Sequence, residues 1–131
     1  MRYVCTICSR RKRRDPGRLP AIRRYLSRRI GFVERASRRL GRPFAILSGE
    51  FGFLGREDEV PWYDHRLSPG DVDALVPLVA RQLAARRVTE VLFYARPRSS
   101  PGWRPYHEVM EKACRRRGIP LTVARLDPRH P

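Results

Sequence analysis

From Pro20 to Ser48 the chain reads PAIRRYLSRRIGFVERASRRLGRPFAILS, a helical pattern that ends on a glycine and runs straight into a short apolar strand. Ile22, Leu26, Val33, Ala36 and Leu40 recur at approximately helical spacing, with Pro20 suited to the first turn and Gly41 to the C-terminal exit. Gly31 is the expected point at which this helix divides in two. Apolar runs like FAILS at 44 to 48 occur before it at 2 to 8 (RYVCTIC), and after it at 91 to 95 (VLFYA) and 121 to 126 (LTVARL). Short apolar runs alternating with helical patterns are the mark of crossover units and a parallel sheet. The expected fold class is therefore α/β, a single doubly wound domain over residues 1–131 with about four parallel strands in the order 2-1-3-4 and three or four helices.

The remaining helices carry their own punctuation. In SPGD at 68 to 71, Ser68 can cap, Pro69 can occupy the first turn and Asp71 can complete a capping box. Pro77 should then kink or restart that helix. A further helix begins near Pro105, carries Tyr106, Val109, Met110, Ala113 and Cys114 on one face, and ends at Gly118. The run Arg10 to Arg14 and the tail DPRHP at 127–131 are expected to be flexible.

A chain of 131 residues is ordinary for one domain with one core. The first residues are too short an apolar run for a secretory leader, and no segment approaches the ~20 apolar residues of a membrane span, so a cytoplasmic protein with no membrane partner is expected. Three cysteines do not make a disulfide framework. The formal net charge of +16 would attract phosphate, nucleic acid or an acidic surface at low salt. Its composition also carries a bland explanation: Lys occurs only at 12 and 112, Asn is absent and Gln82 stands alone, which fits GC-rich coding.

In the doubly wound arrangement ligands bind beyond the carboxyl ends of the strands. The loops there would carry Cys8, Ser9 and Lys12, then Ser48 to Gly55, then Arg96 to Trp103. Cys5 and Cys8 form a CxxC, but strand side chains alternate, so residues three apart face opposite ways and no metal or disulfide is expected. Cys8 ends its strand, where Ser9, backbone amides and Lys12 could surround an anion or activate a thiolate; the alternative is a small strand-end residue before a solvated basic loop. No GxxxxGK[ST] or GxGxxG follows any strand, so neither ATP hydrolysis nor a nicotinamide cofactor is supported, and no cofactor is expected.

SGEFGFL at 48 to 54 has glycines, Gly49 and Gly52, that permit close approach of backbone to a ligand beside Ser48. Glu50 discriminates between a site and a structural turn, because a carboxylate buried there without a partner would be costly. Downstream, PWYDH at 61 to 65 offers Asp64 as a proton carrier beside Trp62 and Tyr63 as stacking faces. Asp64 can equally be a turn or capping acid, and no role is assigned to His65. Arg96, at the exit of the third apolar run, is a further ligand-binding candidate.

Together CSRRK at 8 to 12, RRYLSRRI at 23 to 30, ILSGEFGFL at 46 to 54 and VPWYDHRL at 60 to 67 resemble a small bacterial and phage domain family of uncharacterised function. Its pattern is a CSxxK strand end, a Tyr-containing helix, an LSxxxGxL turn and a PYD-like segment. PYHEVMEKACRRRGIPL at 105 to 121 looks like its closing helix and strand. The resemblance implies ligand-binding roles for Tyr25 and Tyr106. More distantly the chain is similar to the peroxide-stress protein family and to the catalytic domain of archaeosine synthase, where deazaguanine chemistry occurs on transfer RNA. Where the first family commonly has Ala and Lys or Arg, this chain has SGEFGFL, so that turn brings no basic side chain.

The favoured expectation is a nucleotide- or nucleobase-related enzyme or binding domain. In it Cys8 and Ser9 with Lys12 hold phosphate or supply a nucleophile, Glu50 or Asp64 transfers protons, and Tyr63 or Trp62 stacks. The competing expectation is a noncatalytic nucleic-acid-binding module whose arginines neutralise phosphates. A third is a subunit that binds a partner through exposed Trp62 and Trp103. Homo-oligomer formation is not legible in the sequence.

Overall fold

The computed structural model describes residues 1–127 and Arg129. Strand β1 (Arg2–Ile7) is buried from Tyr3 onward. A loop then leads to a short β2 (Arg18–Pro20), a single turn α1 (Ala21–Arg24) and α2 (Arg28–Leu40). After β3 (Phe44–Ser48) come β4 (Gly52–Gly55), β5 (Glu59–Pro61), a 3-10 turn at Pro69–Asp71, α3 (Val72–Ala85), β6 (Glu90–Ala95), α4 (Arg104–Arg117) and β7 (Leu121–Arg125). Of the expected tail 127–131, Pro128, His130 and Pro131 lie outside the described residues.

The central sheet has five strands in the order β4-β3-β1-β6-β7. β1 runs parallel to β3 and β6, and β6 parallel to β7. The four expected strands are parallel and in the expected order, β3-β1-β6-β7, and the correction is a fifth strand at the edge, where β4 pairs antiparallel with β3, Ile46 opposite Leu54. Residues 49 to 51 are too few for a crossover, so the chain can only fold back on itself. A separate ribbon, β2 against β5, places Leu19 opposite Val60. Strands this short fall below what an apolar run can signal.

Right-handed crossovers place α2 on one face of the sheet and α3 with α4 on the other. Accordingly α3 packs on α4, and α2 on β1. The Tyr106, Val109, Met110, Ala113 and Cys114 stripe of α4 is buried, and Gly118, at φ 66°, closes that helix. The Ser68–Asp71 capping box is formed, with the Ser68 amide and hydroxyl both donating to Asp71 Oδ2. Helix α3 continues through Pro77 without a fresh start. The carbonyl that Pro77 leaves without a donor belongs to Asp73, an exposed residue of the first turn where water can serve it.

The break between α1 and α2 is not at Gly31, which lies inside α2, but at Tyr25–Ser27. Tyr25 is extended (φ −87°, ψ 131°) and forms an antiparallel bridge with Lys12, and the Leu26 amide donates to Arg11 O at 3.0 Å. A pairing with the distant loop after β1 thus overrides local helical preference.

Gly52 has φ 78°, and a Cβ there would lie 2.3 Å from Gln82 Oε1. Gln82, on α3, holds the β3–β4 hairpin by accepting from the Phe53 amide (2.6 Å) and donating to Phe51 O (2.9 Å). Gly52→Ala should therefore destabilise the protein by about 2–3 kcal/mol, combining left-handed strain with loss of a Gln82 bond. Urea unfolding measures it, and an unchanged midpoint would remove this explanation of the glycine. No helix among the described residues is long and apolar enough to cross a membrane.

Candidate functional site

The chain leaves β1 toward β3 and leaves β6 toward β7, so the β1/β6 boundary is the point where the direction of winding reverses. Beyond the carboxyl ends of these two strands lies a cavity of about 440 Å³. Its wall is drawn from residues 7–12, 26–29, 64–66 and 101–103, with Tyr106. Six cationic residues line it, Arg10, Arg11, Lys12, Arg28, Arg29 and Arg66, against one acidic residue, Asp64.

Arg29 builds the floor. Only 4% exposed, it donates from Nη1 to Ile7 O (2.6 Å) and Thr6 Oγ1 (3.0 Å), and from Nη2 to Cys8 O (3.1 Å). Its guanidinium carbon stands 5.2 Å from the centre of the Trp103 ring. Thr6 in turn donates to Tyr94 O (2.9 Å), tying β1 to β6. Burial pulls the Arg29 pKa down to about 10, partly offset by Cys8 and Tyr106, so the side chain remains a cation at neutral pH.

Cys8, 8% exposed, has Sγ 3.5 Å from the Tyr106 hydroxyl. Either group can donate in this pair. Burial pushes the Tyr106 pKa up, so it stays a donor. Gly49 sits behind the pair: a Cβ there would lie 2.9 Å from Leu67 Cβ and 3.0 Å from the Tyr106 hydroxyl. Its role is close packing behind the wall.

Lys12 Nζ lies 4.4 Å from the Tyr63 ring centre and 5.9 Å from that of Tyr25, and donates to Arg10 O (3.3 Å). Burial lowers the Lys12 pKa, and Cys8 and Asp64 pull it partly back. Beneath it Ser48 Oγ accepts the Glu50 and Phe51 amides (3.1 and 3.0 Å), so its proton goes to the Tyr63 hydroxyl (2.8 Å), and that of Tyr63 to Tyr25 (2.7 Å). Burial raises the pKa of both tyrosines. Ser48, Tyr25 and Tyr63 are thus a hydroxyl chain under Lys12, off the cavity wall.

Ser9, on the wall, donates to Arg11 O at 2.7 Å and shapes the loop. Asp64 is exposed at the rim. Glu50 is also exposed and off the wall, with Oε2 3.6 Å from His65 Nδ1, so it does not meet the expectation of a buried acid. His65 Nε2 lies 3.4 Å from Asp71 Oδ2, so this ring bridges two carboxylates. The Arg96 carbonyl bonds His107 Nε2 (2.7 Å), and its charge opposes that of Arg29 from off the wall. Gly52 belongs to the Gln82 hairpin and Trp62 to a second cavity. Trp103, expected to be exposed, is 7% exposed and packs over Arg29.

The basic run at 10 to 14 is not a free arm. Arg24, fully buried, donates to Val60 O (3.0 Å), Arg13 O (2.6 Å), Asp15 O (3.0 Å) and Gly17 O (2.7 Å), and so holds the loop against β5. Arg24 and Arg29, with Arg28 and Arg66 on the cavity wall, are residues that sequence patterning missed. A signal for Arg29 exists: with Val33 and Ser37 it lies on one buried helical stripe, a cation where an apolar residue is expected.

All three cysteines are free, and among the described residues no group of three or more His, Cys, Asp or Glu is placed to hold a metal. No protein-family model, curated protein or solved structure matches the chain. The arrangement can cradle an anion on guanidinium and ammonium groups, beside a thiol that faces a hydroxyl donor.

Proposed function

We propose that the cavity beyond β1 and β6 receives a phosphate-bearing nucleotide or nucleobase derivative. The observation that carries this is the convergence of six cationic residues and one acidic residue on about 440 Å³ at the winding reversal of the sheet. Arg28, Arg66 and Lys12 supply charge to the phosphate, and Asp64 accepts from the polar edge of the base. Cys8, with Sγ 3.5 Å from the Tyr106 hydroxyl on the cavity wall, is the candidate nucleophile.

The test is isothermal calorimetry with nucleoside 5′-monophosphates, free bases and inorganic phosphate. Lys12→Met should weaken nucleotide affinity by about tenfold or more, the loss of one charge-assisted bond. The pH dependence follows from the lowered Lys12 pKa. The cationic form that holds the anion predominates below that pKa and is lost above it, so affinity falls as pH rises, beginning below the ordinary lysine value of 10.5. Lys12→Met should remove this step. Nucleotides that bind neither wild type nor variant would sink the proposal.

The net charge of +16 favours a second reading, a nucleic-acid-binding module without catalysis. Affinity for RNA or DNA that falls steeply with salt, with no affinity for mononucleotides, would select it.

A further inference from the structure

We infer that the face around Trp62 is a second subsite, which stacks one unpaired base of a single-stranded nucleic acid whose phosphate enters the cavity beyond β1. This rests on the phosphate reading of that cavity and names its substrate as a polymer. Trp62 is 43% exposed and borders a cavity of about 470 Å³ walled by residues 14–18 and Pro61. The Arg14 guanidinium carbon is 5.1 Å from the ring centre, and Arg18 lies on the same wall. Arg14 lies over the indole ring, so a base stacking there takes the place of the guanidinium, and the displaced Arg14, with Arg18, is left to take its phosphate.

The platform is already formed. β2 and β5 pair beneath it, Arg18 donates to Glu59 O (3.2 Å), and buried Arg24 fixes the carbonyls of Arg13, Asp15 and Gly17. The backbone under the ring is thus preformed, and the ordering cost of binding is confined to the Arg14 side chain.

Continuity with the first cavity comes from the two chain segments that build both. The loop after β1 sends Lys12 to the first cavity and Arg14 to the second, and the segment after β5 sends Trp62 to the second and Asp64 to the first. Two extended residues span about 7 Å, so a strand of a few nucleotides reaches both. With a net charge of +16 a polyanion is the complementary occupant. A duplex is not, because its base faces are already stacked on one another.

The experiment is fluorescence anisotropy with a labelled single-stranded RNA, the same sequence as DNA, and its duplex, at two salt concentrations, alongside calorimetry with a nucleoside 5′-monophosphate. For wild type, single strands should bind more tightly than duplex. Trp62→Ala should weaken single-strand binding by about tenfold and leave mononucleotide affinity unchanged, and Trp62→Tyr should recover most of the loss. Lys12→Met should weaken both ligands. Equal affinity of single strand and duplex, or an oligonucleotide indifferent to Trp62→Ala, overturns the subsite. A mononucleotide that binds while single strands bind no better also overturns it and leaves the phosphate cavity standing. If no ligand binds, both readings fall. A Trp62 effect on single strands that Lys12→Met does not share overturns the joint occupancy of the two cavities. The comparison of RNA with DNA reads which sugar is preferred.

Discussion

Arg24→Met is expected to destabilise the protein by about 3–5 kcal/mol, because it removes a buried cation whose hydrogen bonds end on four backbone carbonyls. Methionine roughly fills the volume of the arginine stem, so most of the loss comes from oxygens left without donors inside the fold. Those of Arg13, Asp15 and Gly17 belong to the loop after β1, and that of Val60 to β5, so one substitution releases the loop from the ribbon. Against a typical domain stability of about 5–15 kcal/mol this is a large share, and the thermal midpoint should fall by roughly 10–20 °C. Limited proteolysis should move to residues 10–17. A melting curve close to wild type would show that water replaces the guanidinium at little cost, and the loop would then be the mobile arm that its composition suggests.

Arg29→Met should cost a similar amount, about 3–5 kcal/mol, for a parallel reason on the other side of the loop. Its partners are the carbonyls of Ile7, which ends β1, and Cys8, which follows it, and the Thr6 hydroxyl that bonds Tyr94 O, so its loss loosens the β1/β6 boundary on which the cavity stands. Two readouts separate this from a merely structural effect. Anion affinity, measured below the unfolding transition on the folded fraction, should drop with the removed charge. Arg29→Lys should restore charge but not the planar fork that reaches two carbonyls and the hydroxyl together, so it should recover affinity in part and stability less. A folded Arg29→Met protein with wild-type anion affinity would confine Arg29 to holding the sheet.

These two arginines also mark where the chain is opaque to sequence reading. Periodicity identifies apolar faces, and the buried stripe on α4 and the strands β1, β3, β6 and β7 are legible for that reason. Arg24, fully buried beside exposed Arg23, differs from that neighbour only in what surrounds it. Tyr25 looks like a residue of a continuous helix, and it leaves the helix only because Lys12 pairs with it from another segment. Sequence reading offers both Glu50 and Cys8 as site residues, yet a short antiparallel turn puts one in solvent and the end of a central strand puts the other on the cavity wall.

By itself, then, the sequence determined the alternation of strands and helices, the caps at Ser68 and Gly118 and the excess of positive charge, all of them properties set by neighbours a few residues apart. Tertiary structure alone decided that Arg24 and Arg29 are buried, and that Cys8, Lys12, Asp64 and Tyr106 meet around one cavity while Trp62 stands on another. Their positions depend on hydrogen bonds and packing between segments tens of residues apart, and such pairings leave no periodic trace in the chain that makes them.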